Sequence, residues 1–433
     1  MFAETRRRIM IKQLFAGVAV TAILLSTGFA EEYTYPINDP FEATIVGTPV
    51  ADRPELPKKI RSKLIDIVVF EDRQPPDILW YEDSLVCSLA WQKEQAPLIF
   101  VIAGTGASYQ SQKMKTMEKA FYQAGFHVVS ISSPTFSDFI VTASESSVPG
   151  HLEDDARDLY RVMQLVWQQI QDSIEVSEFY LAGYSLGATQ AAFVAKLDDT
   201  EHVFDFQKVL MINPAVSLYN SVSILDAMLE DNIPGGLDNA DAWIQDVLSK
   251  LSRATHGNDQ ISFDDPDFLY QVYQHYPPSR KMSAALIGFA FRLSSSNMIM
   301  TADLMNGGGY VVPKNRIPTR NDSLTDYAKV TFRISFADYF RQFFFPYFKT
   351  RQPSLTEQEL IKIESLHSIG QYLQQAEKIG VVTNADDLIL APGELDYIRT
   401  LFGARAKIYP NGGHCGNMDD SAHMHYVTDY FKQ

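Results

Sequence analysis

The stretch Glu178 to Leu197, "EFYLAGYSLGATQAAFVAKL", constrains the fold more than any other part of the chain. Its apolar run over 178–184 reads as a strand, and the small helix formers after Ser185 read as a helix. Gly183 and Gly187 flank Ser185 two residues to either side. A strand that turns sharply into a helix strains the residue at the bend and leaves no room for side chains two positions away, which accounts for both glycines. The bend would lift the Ser185 hydroxyl into a crevice above the sheet, at a helix N-terminus. The N–H of Leu186 would face the same point, where it can bind a developing oxyanion. A plainer reading is a glycine-rich turn with an incidental serine. The apolar strand before it and the helix after it weigh against that.

The rest of the chain supplies the sheet that such a bend needs. Apolar runs at 64–70, 85–91, 97–103, 127–132, 178–184 and 208–213 alternate with helical patterns at 111–124, 151–171 and 186–197. Strands apolar throughout, with helices between them, predict a parallel sheet covered on both faces. The alternation stops after Pro214 and resumes with strands at 378–383 and 405–409 and helices at 393–402 and 420–431. The predicted division is a core of 61–215 and 376–433, with a helical cap of 216–375 inserted after the sixth strand. Residues 31–60, rich in Pro and charge, read as an extended lead-in.

The N-terminus reads as a targeting segment. "RRRIMIK" precedes the apolar run "LFAGVAVTAILLSTGFA", and small Gly28 and Ala30 precede Glu31 and Glu32. Residues 1–30 are therefore expected to be a signal peptide or an uncleaved N-terminal anchor, and the protein periplasmic or extracellular. Membrane contact is expected only through that segment. The formal net charge of −16 argues against nucleic acid, which calls for clustered Lys and Arg. Of the two cysteines, Cys87 reads as a buried strand residue, and both are expected to be free thiols. No H-E-x-x-H, C-x-x-C or EF-hand pattern occurs, so no metal or cofactor is expected. The acid-rich "FDDPDF" at 263–268 reads as helix N-terminal acids rather than a cation site.

A serine nucleophile needs a base, and the base needs an acid to orient it. Of nine histidines, His414 stands just past the last strand in "PNGGHCGNMDD", on a loop that Gly412, Gly413 and Gly416 loosen. His423 and His425 fall on the last helix and read as packing or surface residues. The acid should follow the preceding strand, where "KIGVVTNADDLIL" offers Asp386 and Asp387. Asp387, followed by an apolar continuation, is preferred, with Asp386 the alternative. The second oxyanion donor should come from the turn "VIAGTGASY", with the N–H of Thr105 first and Gly106 next. That turn does not open a dinucleotide fingerprint, because Tyr109 stands where the third glycine would fall.

These motifs, "GYSLG" at 183–187, "NADDLI" at 384–389, "GGHCG" at 412–416 and "AGTG" at 103–106, resemble those of the α/β-hydrolase superfamily. The GGH-x-G histidine loop and the double aspartate are similar to its esterase branch. The resemblance implies a mostly parallel eight-stranded α/β-hydrolase sheet. It also implies a serine hydrolase that cleaves a small, partly hydrophobic carboxylic ester with the triad Ser185, Asp387 and His414. The superfamily includes peptidases, acyltransferases and members without activity, and these remain alternatives. The oxyanion turn departs from the esterase pattern, with Ala103-Gly104 in place of a His-Gly pair. In the insertion, Phe332, Phe336, Phe340 and Phe344 recur every fourth residue. They predict one aromatic helix face, ended by Pro346, that either packs the cap on the core or walls an acyl pocket.

Overall fold

The computed structural model describes residues 33–256 and 267–433. The expected leader and residues 263–266 of "FDDPDF" lie outside the described residues. Eight strands form one sheet: β1 (Ser62–Ile67), β2 (Leu85–Ala90), β3 (Ala96–Ile102), β4 (His127–Ile131), β5 (Val176–Tyr184), β6 (Lys208–Ile212), β7 (Ile379–Asn384) and β8 (Ala406–Tyr409). Their order is β1-β2-β4-β3-β5-β6-β7-β8. Only β2 runs against the others. This is the expected α/β-hydrolase sheet. The central strands β3, β4 and β7 are buried almost throughout, because helices cover both faces and continuous Ile, Val and Phe runs pack against them.

The bend after β5 is as tight as its glycines suggest. Ser185 has φ 54° and ψ −124°, and the helix Leu186–Glu201 begins at the next residue. A Cβ on Gly183 would lie 2.2 Å from the carbonyl oxygen of Gly187, and one on Gly187 would lie 2.4 Å from that of Ile102. The helix thus leaves the sheet in backbone contact with its own strand and with β3.

Among the described residues between β6 and β7 there are helices and no strand. The longest is Arg280–Asn306, which packs on Leu218–Glu230. The fully buried Arg292 ties these pieces together. Its Nη2 lies 2.6 Å from Asp226 Oδ1 and 2.7 Å from Glu230 Oε1, and its Nη1 donates to the carbonyl of Phe332 at 3.2 Å. Asp226 Oδ2 in turn accepts the N–H of Phe336 at 2.7 Å. Burying a guanidinium is costly, and this set of acceptors offsets the lost hydration.

Three expectations need correction. The lead-in 31–60 is not simply extended, because Pro40–Val46 is a helix. Asp39 caps it by accepting the N–H groups of Phe41 and Glu42, and Pro40 occupies the first turn. The aromatic face is not one helix either. Phe332 ends the helix Thr325–Phe332, and Ser335 with Asp338 forms a capping box that starts a new one. Pro346 does not end the pattern. A π-helical turn at Phe340–Phe344 widens the helix ahead of it, and the chain stays helical to Arg351. Finally, the glycines of the His414 loop do not loosen it, as shown below.

Removing the buried cation should expose its value to the fold. Arg292→Met leaves Asp226 buried beside no positive charge and should lose about 3–5 kcal/mol in urea unfolding. Adding Asp226→Asn should restore a substantial part. A double variant no more stable than the single one would show that the pair does not act as a unit.

Candidate active site

Ser185, His414 and Asp387 meet at the C-terminal ends of β5, β8 and β7. Ser185 Oγ lies 2.9 Å from His414 Nε2. His414 Nδ1 lies 3.0 Å and 3.1 Å from the two carboxylate oxygens of Asp387. With Nδ1–H donating to the carboxylate, Nε2 is left as the acceptor for the Ser185 hydroxyl. The Asp387 side chain has no exposed surface, and that of His414 is 17% exposed. Asp387 Oδ2 also accepts Asn213 Nδ2 at 2.8 Å, and Oδ1 accepts the N–H of Ile389 at 3.2 Å.

Asp386, the alternative acid, does something else. Its carboxylate accepts the N–H groups of Gly413 at 2.9 Å and Gly412 at 3.3 Å, and so holds the histidine loop by its backbone. The loop is gripped from other sides as well. Asn384 Nδ2 donates to the carbonyl of Gly413 at 2.8 Å, and the N–H of His414 donates to Thr44 Oγ1 at 2.9 Å. Gly413, at φ 55°, has no space for a side chain: a Cβ there would lie 2.3 Å from the Pro40 carbonyl. Gly413 and Gly416 permit close approach to the helix Pro40–Val46, while Gly412 makes room for the side chains of Asn384 and Asn417.

The three candidate oxyanion amides face different circumstances. Leu186 is the first helical residue, so its N–H has no carbonyl a turn earlier to bond. Thr105 lines the same cavity as Ser185, Leu186 and His414. The N–H of Gly106 is already donated to Thr135 Oγ1 at 2.8 Å, which counts against Gly106 as a donor to substrate. Gly106 has φ 64° and packs on Ser294 of the insertion.

The cavity measures about 60 Å³ and is almost wholly apolar. Its far walls are Leu218, Val222, Leu225, Phe291, Met298 and Phe336 from the insertion. Of the aromatic residues singled out in the sequence, Phe336 reaches the cavity. Tyr339, Phe340 and Phe344 are buried in a separate cluster with Ile140, Val148 and Ile299. The aromatic stretch thus divides between a cavity wall at Phe336 and a packed cluster of Tyr339, Phe340 and Phe344.

Cys415 and Cys87 are both free and buried. Cys415 Sγ is 3.8 Å from His414 Nε2. His423 is buried against Tyr409, and burial pushes its pKa down to about 3. Asn213, Thr44 and Thr135 were not anticipated as parts of the site. Asn213 could have been noticed, since it follows an apolar strand run in "INPA" as Ser185 does in its own; the structure gives it φ 48°. Thr44 and Thr135 carry no sequence signal, because each acts through a contact distant in the chain.

Comparison with known proteins gave fold-level likenesses alone. No protein-family model and no curated protein sequence matches the chain. Among solved structures, the brefeldin A esterase, a bacterial homologue of human hormone sensitive lipase, is 10% identical. That alignment covers 90% of this chain and 79% of that one, with a TM-score of 0.41. An esterase of Pyrobaculum calidifontis is 14% identical over 90% and 88%, also with a TM-score of 0.41. Est1E from Butyrivibrio proteoclasticus is 11% identical over 81% and 92%, with a TM-score of 0.35. No activity is carried from them to this chain.

The His414–Asp387 pair makes opposite demands on stability and proton acceptance. Burial opposes the imidazolium, but the Asp387 charge, the adjoining Cys415 and the hydrogen bond to Asp387 together outweigh this and hold the His414 pKa well above the usual histidine value. Stability from the pair is thus fully present below about pH 6.5 and is lost as pH rises through the folded pKa. Histidine NMR should show one resonance titrating above the ordinary range, moved down in Asp387→Asn. An unchanged midpoint in that variant would remove Asp387 as the cause.

Proposed function

We propose that the protein is a serine hydrolase of the α/β-hydrolase type that cleaves a small carboxylic ester through an acyl-enzyme on Ser185. The observation that carries this is the continuous hydrogen-bonded line from Ser185 Oγ through His414 to Asp387, with steps of 2.9 Å and 3.0 Å. A hydroxyl alone is a poor nucleophile at neutral pH. Above the His414 pKa its proton has an acceptor in place, and the imidazolium formed has a buried carboxylate behind it.

The steps follow from this arrangement. Ser185 Oγ attacks the ester carbonyl carbon as His414 Nε2 takes its proton. The carbonyl oxygen becomes an oxyanion beside the amides of Leu186 and Thr105. When the tetrahedral adduct collapses, the bond to the leaving oxygen breaks, and His414 returns the proton to the departing alcohol. Water then attacks the acyl carbon with His414 again as base, releasing the acid and Ser185. Asp387 holds the imidazole tautomer throughout. Asn213 and Asp386 act one step back, on Asp387 and on the histidine loop. The scheme calls for no metal and no cofactor.

The apolar cavity supports an uncharged, partly hydrophobic substrate. Export is proposed on the N-terminal basic and apolar pattern. No helix among the described residues is long and apolar enough to cross a membrane.

A fluorophosphonate probe should label the wild type, and Ser185→Ala should abolish both labelling and aryl-ester turnover. Wild-type turnover in Ser185→Ala would overturn the assignment. The rate should fall as pH drops through the His414 pKa, with a midpoint above the ordinary histidine value. Asp387→Asn should cost on the order of 10⁴-fold in kcat. A midpoint at or below about pH 6, with full activity in Asp387→Asn, would exclude this His–Asp pair as the base.

A further inference from the structure

A second, smaller chamber of about 10 Å³ shares three walls with the cavity at Ser185, namely Gly150, Leu218 and Phe336. Its other walls are aromatic or aliphatic apart from the carboxyl group of Glu364. Glu364 is only 3% exposed. Its Oε2 accepts the N–H of Leu152 at 2.7 Å. Its Oε1 is buried and has no hydrogen-bond partner. His151 Nε2 lies 3.6 Å from it, within ion-pair distance but too long for a hydrogen bond. A buried carboxyl oxygen without a hydrogen-bond partner is costly, and on a residue that lines a chamber sharing walls with the Ser185 cavity it calls for a ligand atom.

We propose that Glu364 is a specificity residue that receives a terminal hydroxyl on the acyl group of the ester, so that the preferred substrate is an ω-hydroxy acyl ester. This rests on the reading of Ser185 as the nucleophile. The chamber holds about one non-hydrogen atom, which suits the end of a chain and not a branch or ring. Apolar walls on the way favour methylene groups between the carbonyl and that end. A hydroxyl also matches Glu364 in either charge state. Burial, with the acidic Asp155, Asp154 and Glu153 nearby, pushes its pKa well above the usual carboxylate value and favours the neutral acid. A neutral Oε1–H donates to the hydroxyl, whereas an ionised Oε1 accepts from it. A methyl terminus would leave the carboxyl unpaired.

The test uses methyl esters of straight-chain acids with four to eight carbons. Each is compared with the ω-hydroxy ester of equal non-hydrogen atom count and with an ω-ammonio ester, and acid release is followed by titration at constant pH. For at least one length the wild type should favour the hydroxy ester by roughly tenfold in kcat/KM, mostly through KM. Glu364→Gln, which keeps a hydrogen-bonding end, should retain the preference. Glu364→Leu should lose or reverse it while still turning over the methyl-terminated ester. The retained preference in Glu364→Gln keeps the test open if the leucine variant does not fold. The proposal is overturned if no length shows the preference, as when the chamber holds a structural water. It is also overturned if the ammonio ester is preferred, or if the preference survives in Glu364→Leu. Fluorophosphonate labelling of Ser185 runs alongside. Labelling without the preference brings down the Glu364 role alone, and absent labelling in the wild type brings down the hydrolase reading itself.

Discussion

The contact between Gly183 and Gly187 governs the architecture around the site. With no side chain at either position, the helix Leu186–Glu201 starts in backbone contact with β5 and β3. That closeness forces Ser185 to φ 54°, a strained setting for a residue with a Cβ. It also places the Ser185 hydroxyl and the unbonded first amide of the helix at one point above the sheet. A β-carbon at either glycine would push the helix outward and separate hydroxyl, amide and the turn after β3 together. The strain is local, and the buried parallel strands on both sides hold it.

The histidine faces the opposite problem. It arrives on a loop and has to be as well placed as the serine, which sits on a rigid bend. The solution is convergence of short polar contacts. Asp386 takes two loop amides, Asn384 donates to the Gly413 carbonyl, and Thr44 takes the His414 amide. Asp387 and Asp386 are adjacent in sequence, yet one faces the imidazole and the other the backbone that carries it. The double aspartate is thus one device with two functions. Asn213 extends it to β6, so that consecutive strand ends β6, β7 and β8 are tied to one another at the level of the site.

Much of this was legible in the sequence, for reasons that differ by element. Continuous Val, Ile and Phe runs read as buried strands because a parallel sheet buries both faces, and the eight strands lie close to where those runs fall. Ser185, His414 and Asp387 could be picked out because each follows a strand and each carries a local mark: flanking glycines, a glycine loop, an apolar continuation. What was not legible depends on distant partners. The helix Pro40–Val46 has a good cap, but a Pro-rich, charged lead-in masks it. Phe332 and Phe336 keep helical spacing although a capping box at Ser335 separates their helices, since periodicity alone cannot see a break that preserves phase. Gly412 and Gly413 look like flexibility in a sequence, and only their neighbours, Asn384 and Asn417 beside Gly412 and the Pro40 carbonyl beside Gly413, show that they serve close packing.

The insertion completes the site through a single buried charge. Phe336, a wall of both chambers, starts its helix with an N–H bonded to Asp226, and Asp226 is held by Arg292. Arg292 lies on the same helix as Phe291, Ser295 and Met298, which also face the cavity. The guanidinium therefore links the two sides of the pocket, the long helix Arg280–Asn306 and the segment that begins at Phe336, through the helix Leu218–Glu230 between them. Apolar packing alone would let these helices slide at little cost, because Leu, Met and Phe contacts are non-directional. A buried arginine with fixed acceptors is directional, so it sets the register of the helices and with it the shape of the cavity. In this fold the serine is placed by the absence of side chains and the cavity walls by one buried guanidinium.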